Sequence, residues 1–306
     1  MPTIYAIGET IYDIIFRDGQ PVAAKAGGAM LNTAVSLGRL GLPVRFISEY
    51  GMDRAGEEIN RFLGENGVDT DGVYRYDAGK TAIALAFLNE KNEAAYSFYK
   101  IYPSKRLEID IPQFVKGDIV LFGAFFSLMK EVRSQMMAFV RAAAANGACI
   151  VYDPNIRSPH KDEIAELRGL VHENISLSDI VRGSDEDFRT IFDACSGDEA
   201  YDIIRRHGGS VLIYTRSSHG VDVFSPEGRI TLAVPPVHTV STIGAGDSFN
   251  AGLIYSLFRS GKKACDLGRH EYEKMVKTAI SFGSHACTHY ENYISMEFAA
   301  GIKKNR

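Results

Sequence analysis

The sequence predicts an α/β fold: a mostly parallel sheet with helices on both faces, and a small antiparallel sheet attached to it. Three observations predict it. Short apolar runs alternate with helix-period segments, the pattern of parallel strands joined by helical crossovers. Glycine follows the helical segments at Gly41, Gly67, Gly147 and Gly208, where a left-handed residue stops a helix. The stretch Thr81–Leu88 breaks that rhythm with residue-by-residue alternation, which is hairpin patterning.

Taken in order, Ile4–Ile7 reads as the first strand, and Ile11–Phe16 as an extended segment with period-two apolar residues before Asp18-Gly19. Asn32–Leu40 reads as a helix, Val44–Ser48 as a strand and Ala55–Asn66 as a helix. In Thr81–Leu88 the large Ile83, Leu85 and Phe87 alternate with Ala82, Ala84 and Ala86. A polar turn is expected at Asn89–Glu93, and Tyr96 and Phe98 then alternate with Ser97 and Tyr99. Asp118–Phe122 and Cys149–Tyr152 read as strands around the helix Glu131–Asn146; Asp198–His207 reads as a helix before the strand Val211–Thr215. The hairpin is either an edge hairpin or a lid that keeps water from a reacting group. No repeat or Pro- or Ser-rich linker divides the chain. Residues 1–306 are therefore expected to form a single domain, with lid segments near 11–25 and 73–103.

Composition narrows the class. The chain has 306 residues, 45% hydrophobic and 24% charged, with a net charge of −4, enough to bury a sizeable core. The mild negative charge points away from nucleic acid and anionic membranes and toward small metabolites. No apolar run approaches the roughly 20 residues of a membrane span, and the N-terminus lacks the basic leader of a signal peptide. Cys149, Cys195, Cys265 and Cys287 are scattered without a Cys-x-x-Cys pair. They fit reduced thiols in the cytoplasm. No histidine is assigned to a metal.

The most informative segment is Ser241 to Gly252, where Gly244-Ala245-Gly246-Asp247 precedes a helical pattern. Glycines let backbone N–H groups approach a ligand, and a helix N-terminus aims its unpaired N–H groups at an anion. Asp247 would repel that anion, so it makes chemical sense as a base for a hydroxyl attacking a phosphoryl group. Asp is also favoured in a first helical turn with no chemistry involved.

Four further segments sit at strand ends or helix starts. Gly8-Glu9-x-x-x-Asp13 follows the first strand, where ligands of open parallel sheets bind; Asp13 can take sugar hydroxyls or serve as a turn residue. Gly27-Gly28 and Asn32 offer close backbone approach and a mixed donor and acceptor, or simply a helix start. Asp153-Pro154-Asn155-Ile156-Arg157 follows another strand; Arg157 suits phosphate, and the segment is also good turn chemistry. Ser184-Asp185-Glu186-Asp187 reads equally as a capping box.

Together and in order these segments resemble the ribokinase-like family of carbohydrate kinases, the PfkB family, along essentially the whole chain. Gly27-Gly28-x-x-x-Asn32-x-Ala34 with Leu40-Gly41 is similar to its first signature, and Thr242-Ile243-Gly244-Ala245-Gly246-Asp247-Ser248-Phe249 to its second. Gly8-Glu9-x-x-x-Asp13, Asp153-Pro154-Asn155-x-Arg157 and Phe98-Tyr99-Lys100 lean toward the fructokinase branch. The resemblance implies a three-layer α/β/α domain with a β-sheet lid, and ATP and Mg²⁺ as cosubstrate and metal. It implies Asp247 as base and Gly244, Ala245 and Gly246 as the phosphoryl-stabilising turn. The sugar would be held by Asp13, Gly27, Gly28, Asn32, Phe98, Lys100, Asn155 and Arg157. The nucleotide would lie against Ser184, Asp187, Thr215, Ser217, Gly220, Gly244 and Gly246, with Asp187 acting indirectly on Mg²⁺.

Several positions depart from the family pattern. Ser241 stands where Asp is usual and argues against activation by a monovalent cation. Asp187 replaces Glu, Ser184 replaces Asn, Ser217 a frequent Gly, Lys100 a frequent Arg, and Glu291-Asn292 a Gly-Ala. The expected activity is phosphorylation of a small sugar, fructose first. The alternatives are another sugar, a sugar acid or a nucleoside as acceptor, or a low-turnover sugar sensor. The apolar second face of the lid is an expected homodimer surface.

Overall fold

A computed structural model describes residues 1–89, 94–156 and 161–304. Arg157 and most of the turn expected at Asn89–Glu93 lie outside the described residues. The chain opens with β1 (Ile4–Ile7), which feeds a hairpin of β2 (Ile11–Arg17) and β3 (Gln20–Gly27). Then follow α1 (Ala29–Arg39), β4 (Val44–Gly51), α2 (Arg54–Glu65), and the short β5 (Val68–Asp69) and β6 (Val73–Tyr76). β7 (Lys80–Leu88) and β8 (Ala94–Ile101) are the alternating segments. The crossovers resume with β9 (Ile119–Gly123), α3 (Lys130–Ala145), β10 (Cys149–Asp153), α4 (Lys161–Ser176), β11 (Ile180–Ser184), α5 (Asp185–Phe192), α6 (Gly197–Arg206) and β12 (Val211–Thr215). β13 (Val221–Ser225) and β14 (Gly228–Leu232) form a hairpin, and α7 (Ala245–Ser260), α8 (Arg269–Cys287) and α9 (Met296–Lys304) complete the chain.

The main sheet runs β14-β13-β12-β11-β10-β9-β1-β4-β5, with β6 alongside β4. Its pairs are parallel from β5 across to β12, and antiparallel only through β13 and β14. Successive strand residues point to opposite faces. Ile4 and Ala6 therefore join one core with Leu121, Val151 and Ile213, packed under α1, α2, α7, α8 and α9. Tyr5 and Ile7 join the other with Val120, Phe122, Ile150, Tyr152 and Leu212, packed under α3, α4, α5 and α6. This is the expected three-layer α/β/α arrangement. Strand order reverses at β1, between β4 and β9, and such a reversal opens a ligand crevice at the strands' carboxyl ends.

The second sheet, β3-β2-β7-β8, stands over that end. Its register pairs Lys25 with Asp13, Asp13 with Ala84, and Ala84 with Phe98. Paired residues share a face, so Lys25, Asp13, Ala84 and Phe98 form one row across it. Lys25 Nζ donates to Asn292 Oδ1 at 3.2 Å and Lys100 Nζ reaches Glu9 Oε1 at 2.7 Å, so that face looks at the main body. Phe87, Tyr96, Phe98, Tyr99 and Ile101 remain exposed on this sheet. Among the described residues no helix is long and apolar enough to cross a membrane, and the cysteines are unpaired.

Candidate active site

The glycine turn is built as its residues dictate. Gly244 caps α7 at φ 79°, and a Cβ there would fall 2.2 Å from the carbonyl oxygen of Asn292. Only glycine combines that left-handed backbone with that approach. Gly28 has φ 136°, and its Cβ would fall 2.4 Å from the Glu9 carbonyl oxygen; this brings the start of α1 against the end of β1. The expected helix at Asn32 thus begins earlier, at Ala29, because Gly28 supplies the cap. The Ala245 N–H points back to Thr242 O at 3.3 Å, the long end of the hydrogen-bond range.

Asp247 occupies the first turn of α7 and is only 4% exposed. Asn32 Nδ2 donates to its Oδ2 at 2.8 Å, and Asn155 Nδ2 to its Oδ1 at 3.4 Å. The Thr33 hydroxyl donates to its backbone carbonyl at 2.9 Å, which ties α1 to α7. Two side-chain amide donors orient the carboxylate, whose oxygens can accept a proton. Asn32 Oδ1 is buried and has no hydrogen-bond partner among the described residues. A buried acceptor without a donor is costly, and a ligand hydroxyl would satisfy it.

Asp13 and Phe98 lie in the inward-facing row of the small sheet. A Cβ on Gly27 would fall 2.3 Å from Asp13 Oδ2, so the carboxylate fills the space the glycine leaves. Lys100, expected to reach a sugar, pairs with Glu9, which also accepts from the Tyr102 hydroxyl at 2.5 Å. The pair fastens the small sheet to the segment after β1.

Behind the glycine turn lies a buried polar seat. Arg182 Nη1 donates to Asp153 Oδ2 at 2.9 Å, and Nη2 to Thr215 Oγ1 at 3.1 Å. Asn250 Nδ2 donates to the same Asp153 oxygen at 2.6 Å, and the Asn155 N–H to Asp153 Oδ1 at 3.1 Å. Ser184 and Asp187 form the capping box that opens α5. Asp187 Oδ2 accepts from the Ser184 N–H at 2.7 Å, and Oδ1 from the Ile156 N–H at 2.8 Å. Asp187 therefore holds the 153–156 loop in place. Burial, then the neighbouring Asp153 charge, raise its pKa above the usual carboxylate range against the pull of the Ser184 donors. Ser217 begins the 3-10 turn Ser217–His219 after β12, and Gly220 follows it at φ 113°.

Sequence reasoning missed Lys25, Arg182, Asn250 and Asn292 as site residues, and gave no separate role to Glu9 or Asp153. Lys25 had a signal, a cation next to Gly27-Gly28. Burial lowers its pKa, partly offset by Asp13 and Glu291.

A family signature described as "pfkB family carbohydrate kinase" matches residues 1–299. The chain is 28% identical to a fructokinase of Salmonella typhimurium over 264 residues, 84% of this chain and 85% of that one. It is 27% identical to the probable chloroplastic fructokinase-6 of Arabidopsis thaliana, over 94% of this chain and 76% of that one. Among solved structures, a Vibrio cholerae fructokinase double mutant holding fructose, ADP and potassium superposes with a TM-score of 0.85 at 23% identity, covering 98% of each chain. The aminoimidazole riboside kinase of Salmonella enterica, with aminoimidazole riboside and an ATP analog, gives 0.82 at 22% identity, covering 98% of this chain and 99% of that one.

Proposed function

This chain belongs to the pfkB family of carbohydrate kinases, and from that premise we propose that it transfers the γ-phosphoryl group of ATP to a hydroxyl of fructose, with Asp247 as general base. The observation that carries the reading is the buried pair of Asp247 and Asn32, in which one amide atom steadies the carboxylate and the other is a vacant acceptor. Asp13 and Phe98 lie on the face of the small sheet turned toward the main body, which supports the reading. The fructokinase names of its relatives favour a ketohexose.

The chemistry follows from the placement. A sugar hydroxyl donating to Asp247 gives up its proton as its oxygen attacks phosphorus; the bond to the bridging oxygen breaks, and its electron pair leaves with ADP. The Gly244–Gly246 turn and the N-terminus of α7 face the charge on the transferring group. Asp247 then returns the proton to solvent as the sugar phosphate leaves. Among the described residues no cluster of three or more His, Cys, Asp or Glu could hold a metal. Mg²⁺ would be carried chiefly by phosphate oxygens and water, as is usual for it, and would neutralise phosphate charge. Asp187, its oxygens engaged by Ser184 and Ile156, would act on it only through the position of the 153–156 loop.

Asp247→Asn keeps the shape of the site and removes the base. It should leave sugar affinity nearly intact and lower kcat at least ~10²-fold; near-normal turnover would overturn the assignment. Ser241 turns its hydroxyl to the Ile243 N–H at 3.2 Å and carries no charge, so the rate should be the same in Na⁺ and K⁺. A large stimulation by K⁺ would contradict this. A second reading, a nucleoside-type acceptor, is favoured by the likeness to the aminoimidazole riboside kinase. An ATP-consumption screen over hexoses, pentoses, sugar acids and nucleosides decides between them; sugar binding without turnover on any of these would instead mark a sensor.

The same reading takes the chain as one catalytic unit, with the β3-β2-β7-β8 sheet as its lid and that sheet's second face, which exposes Phe87 and Tyr99, as a surface for a second copy.

A further inference from the structure

Gly246, Phe249 and Asn250 fall at i, i+3 and i+4 on one stripe of α7, and all of them meet the Asp153–Arg182 pair. A Cβ on Gly246 would have Arg182 Nη1 at 3.0 Å, Nη2 at 3.3 Å and Cζ at 3.5 Å as its nearest neighbours. The guanidinium carbon lies 5.3 Å from the Phe249 ring centre. Asn250 Nδ2 donates to the Asp153 oxygen that also accepts from Arg182. Arg182 is 7% exposed, and its Nε has no hydrogen-bond partner among the described residues. The ion pair is thus a buried dipole whose positive end is pressed against the second glycine of the anion hole.

From this geometry we infer that Arg182 is a positioning residue for phosphoryl transfer: its guanidinium, held by Asp153, seats the first turn of α7 and adds fixed positive potential beneath the Gly244–Gly246 turn. The inference rests on reading that turn as the phosphoryl site. A helix N-terminus alone carries only about half an elementary charge, distributed over its first turn. A guanidinium at van der Waals distance, in a place water does not screen, strengthens it where the transferring group gathers negative charge. It also gives Gly246 a reason independent of backbone conformation, because even a methyl there would crowd the guanidinium and make it give by a few tenths of an ångström.

The test separates charge from packing. Arg182→Met removes the charge. It should lower kcat and raise KM for ATP, kcat falling at least ~10-fold, less than the ~10²–10³-fold lost with a direct oxyanion donor, while KM for fructose stays within about threefold. Arg182→Lys restores the charge without the planar fork and should recover most of that kcat. A merely structural residue would lower the thermal midpoint and affect both substrates alike, with Lys no better than Met. A folded Arg182→Met enzyme with wild-type kcat and KM for ATP overturns the inference, and so does a Lys variant as impaired as Met. If the Met variant does not fold, a second cycle serves. Gly246→Ala should lower kcat in the wild type and cost at least ~3-fold less in the Arg182→Lys background, where no planar head meets the new methyl; equal cost in both backgrounds refutes the contact. Failure of the base reading is distinguishable, since it is read from Asp247→Asn and leaves the split between ATP and fructose at Arg182 untouched.

Discussion

Asn32→Asp should turn the buried amide–carboxylate pair into two carboxylates and move the acid limb of the rate to higher pH. The change replaces one NH₂ by oxygen and is nearly isosteric. Asn32 Nδ2 sits 2.8 Å from Asp247 Oδ2, and both residues are only 4% exposed. Each charge is spread over two oxygens, so the charge centres would lie about 4–5 Å apart and repel by roughly 3–4 kcal/mol at an effective dielectric of about 20. Loss of the amide donor to a charged acceptor adds about 1.5–3 kcal/mol in the same direction. A proton shared between the carboxylates returns part of this, leaving a shift of roughly 2 pH units at 1.36 kcal/mol per unit. Like charge favours the protonated form, so the base is blocked up to higher pH. On the acid side of the shifted limb kcat should fall by up to ~10²-fold relative to the parent and recover as pH rises. Coupled ADP release at saturating ATP and fructose, followed from mildly acidic to alkaline pH, reads the limb. Asn32→Ala, which loses the donor without adding charge, should shift it by less than Asn32→Asp does, because only the lost donor acts on the base. A uniform loss in Asn32→Asp with the limb unmoved would refute the reasoning and leave Asn32 as a sugar contact only.

Asp53 caps α2 through the Gly56 N–H at 3.0 Å and also accepts from the Thr81 N–H at 2.8 Å; Asp53→Ala should cost about 1–2 kcal/mol at neutral pH. Burial alone would raise the Asp53 pKa, but the Thr81 and Gly56 donors outweigh it and hold it below the usual value. Its contribution is therefore present above the unfolded-state pKa and lost as pH falls through the folded value. Thermal midpoints of variant and parent should converge in acid; equal midpoints at neutral pH would contradict the cap. The lowered pKa of Lys25, caused by burial against the partial offset of Asp13 and Glu291, means its ammonium is lost at lower pH than an exposed lysine's. If its contact with Asn292 supports closure, Lys25→Arg should extend the alkaline plateau of kcat/KM for sugar, and an unmoved alkaline limb would count against it.

The sheet was legible because parallel strands are buried on both faces, so β9, β10 and β12 stand out as unbroken apolar runs between glycine-ended helices. β3 was not, since its first five residues are exposed and carry no core signal. The glycine turn was legible because its geometry is local. The partners of Asp247 were not assignable as contacts: Asn32 lies 215 residues away in the chain, and the two meet only because Gly28 and Gly244 bring two helix starts to one crevice. Arg182 shows where more could have been read. It falls inside a strand, flanked by Val181 and Gly183, that is buried along most of its length. A guanidinium there is untenable without a carboxylate at the same level on a neighbouring strand. Tyr152 pairs with Val181, so one step further sets Asp153 beside Arg182. The need for an acid was written in the sequence, and Asp153 stood at a strand's carboxyl end to meet it; what was missing was that β10 and β11 are neighbours. That adjacency also explains why the pair sits under α7. Both side chains emerge at the carboxyl edge of the sheet, where the parallel strands stop and the helix that carries the proposed base begins.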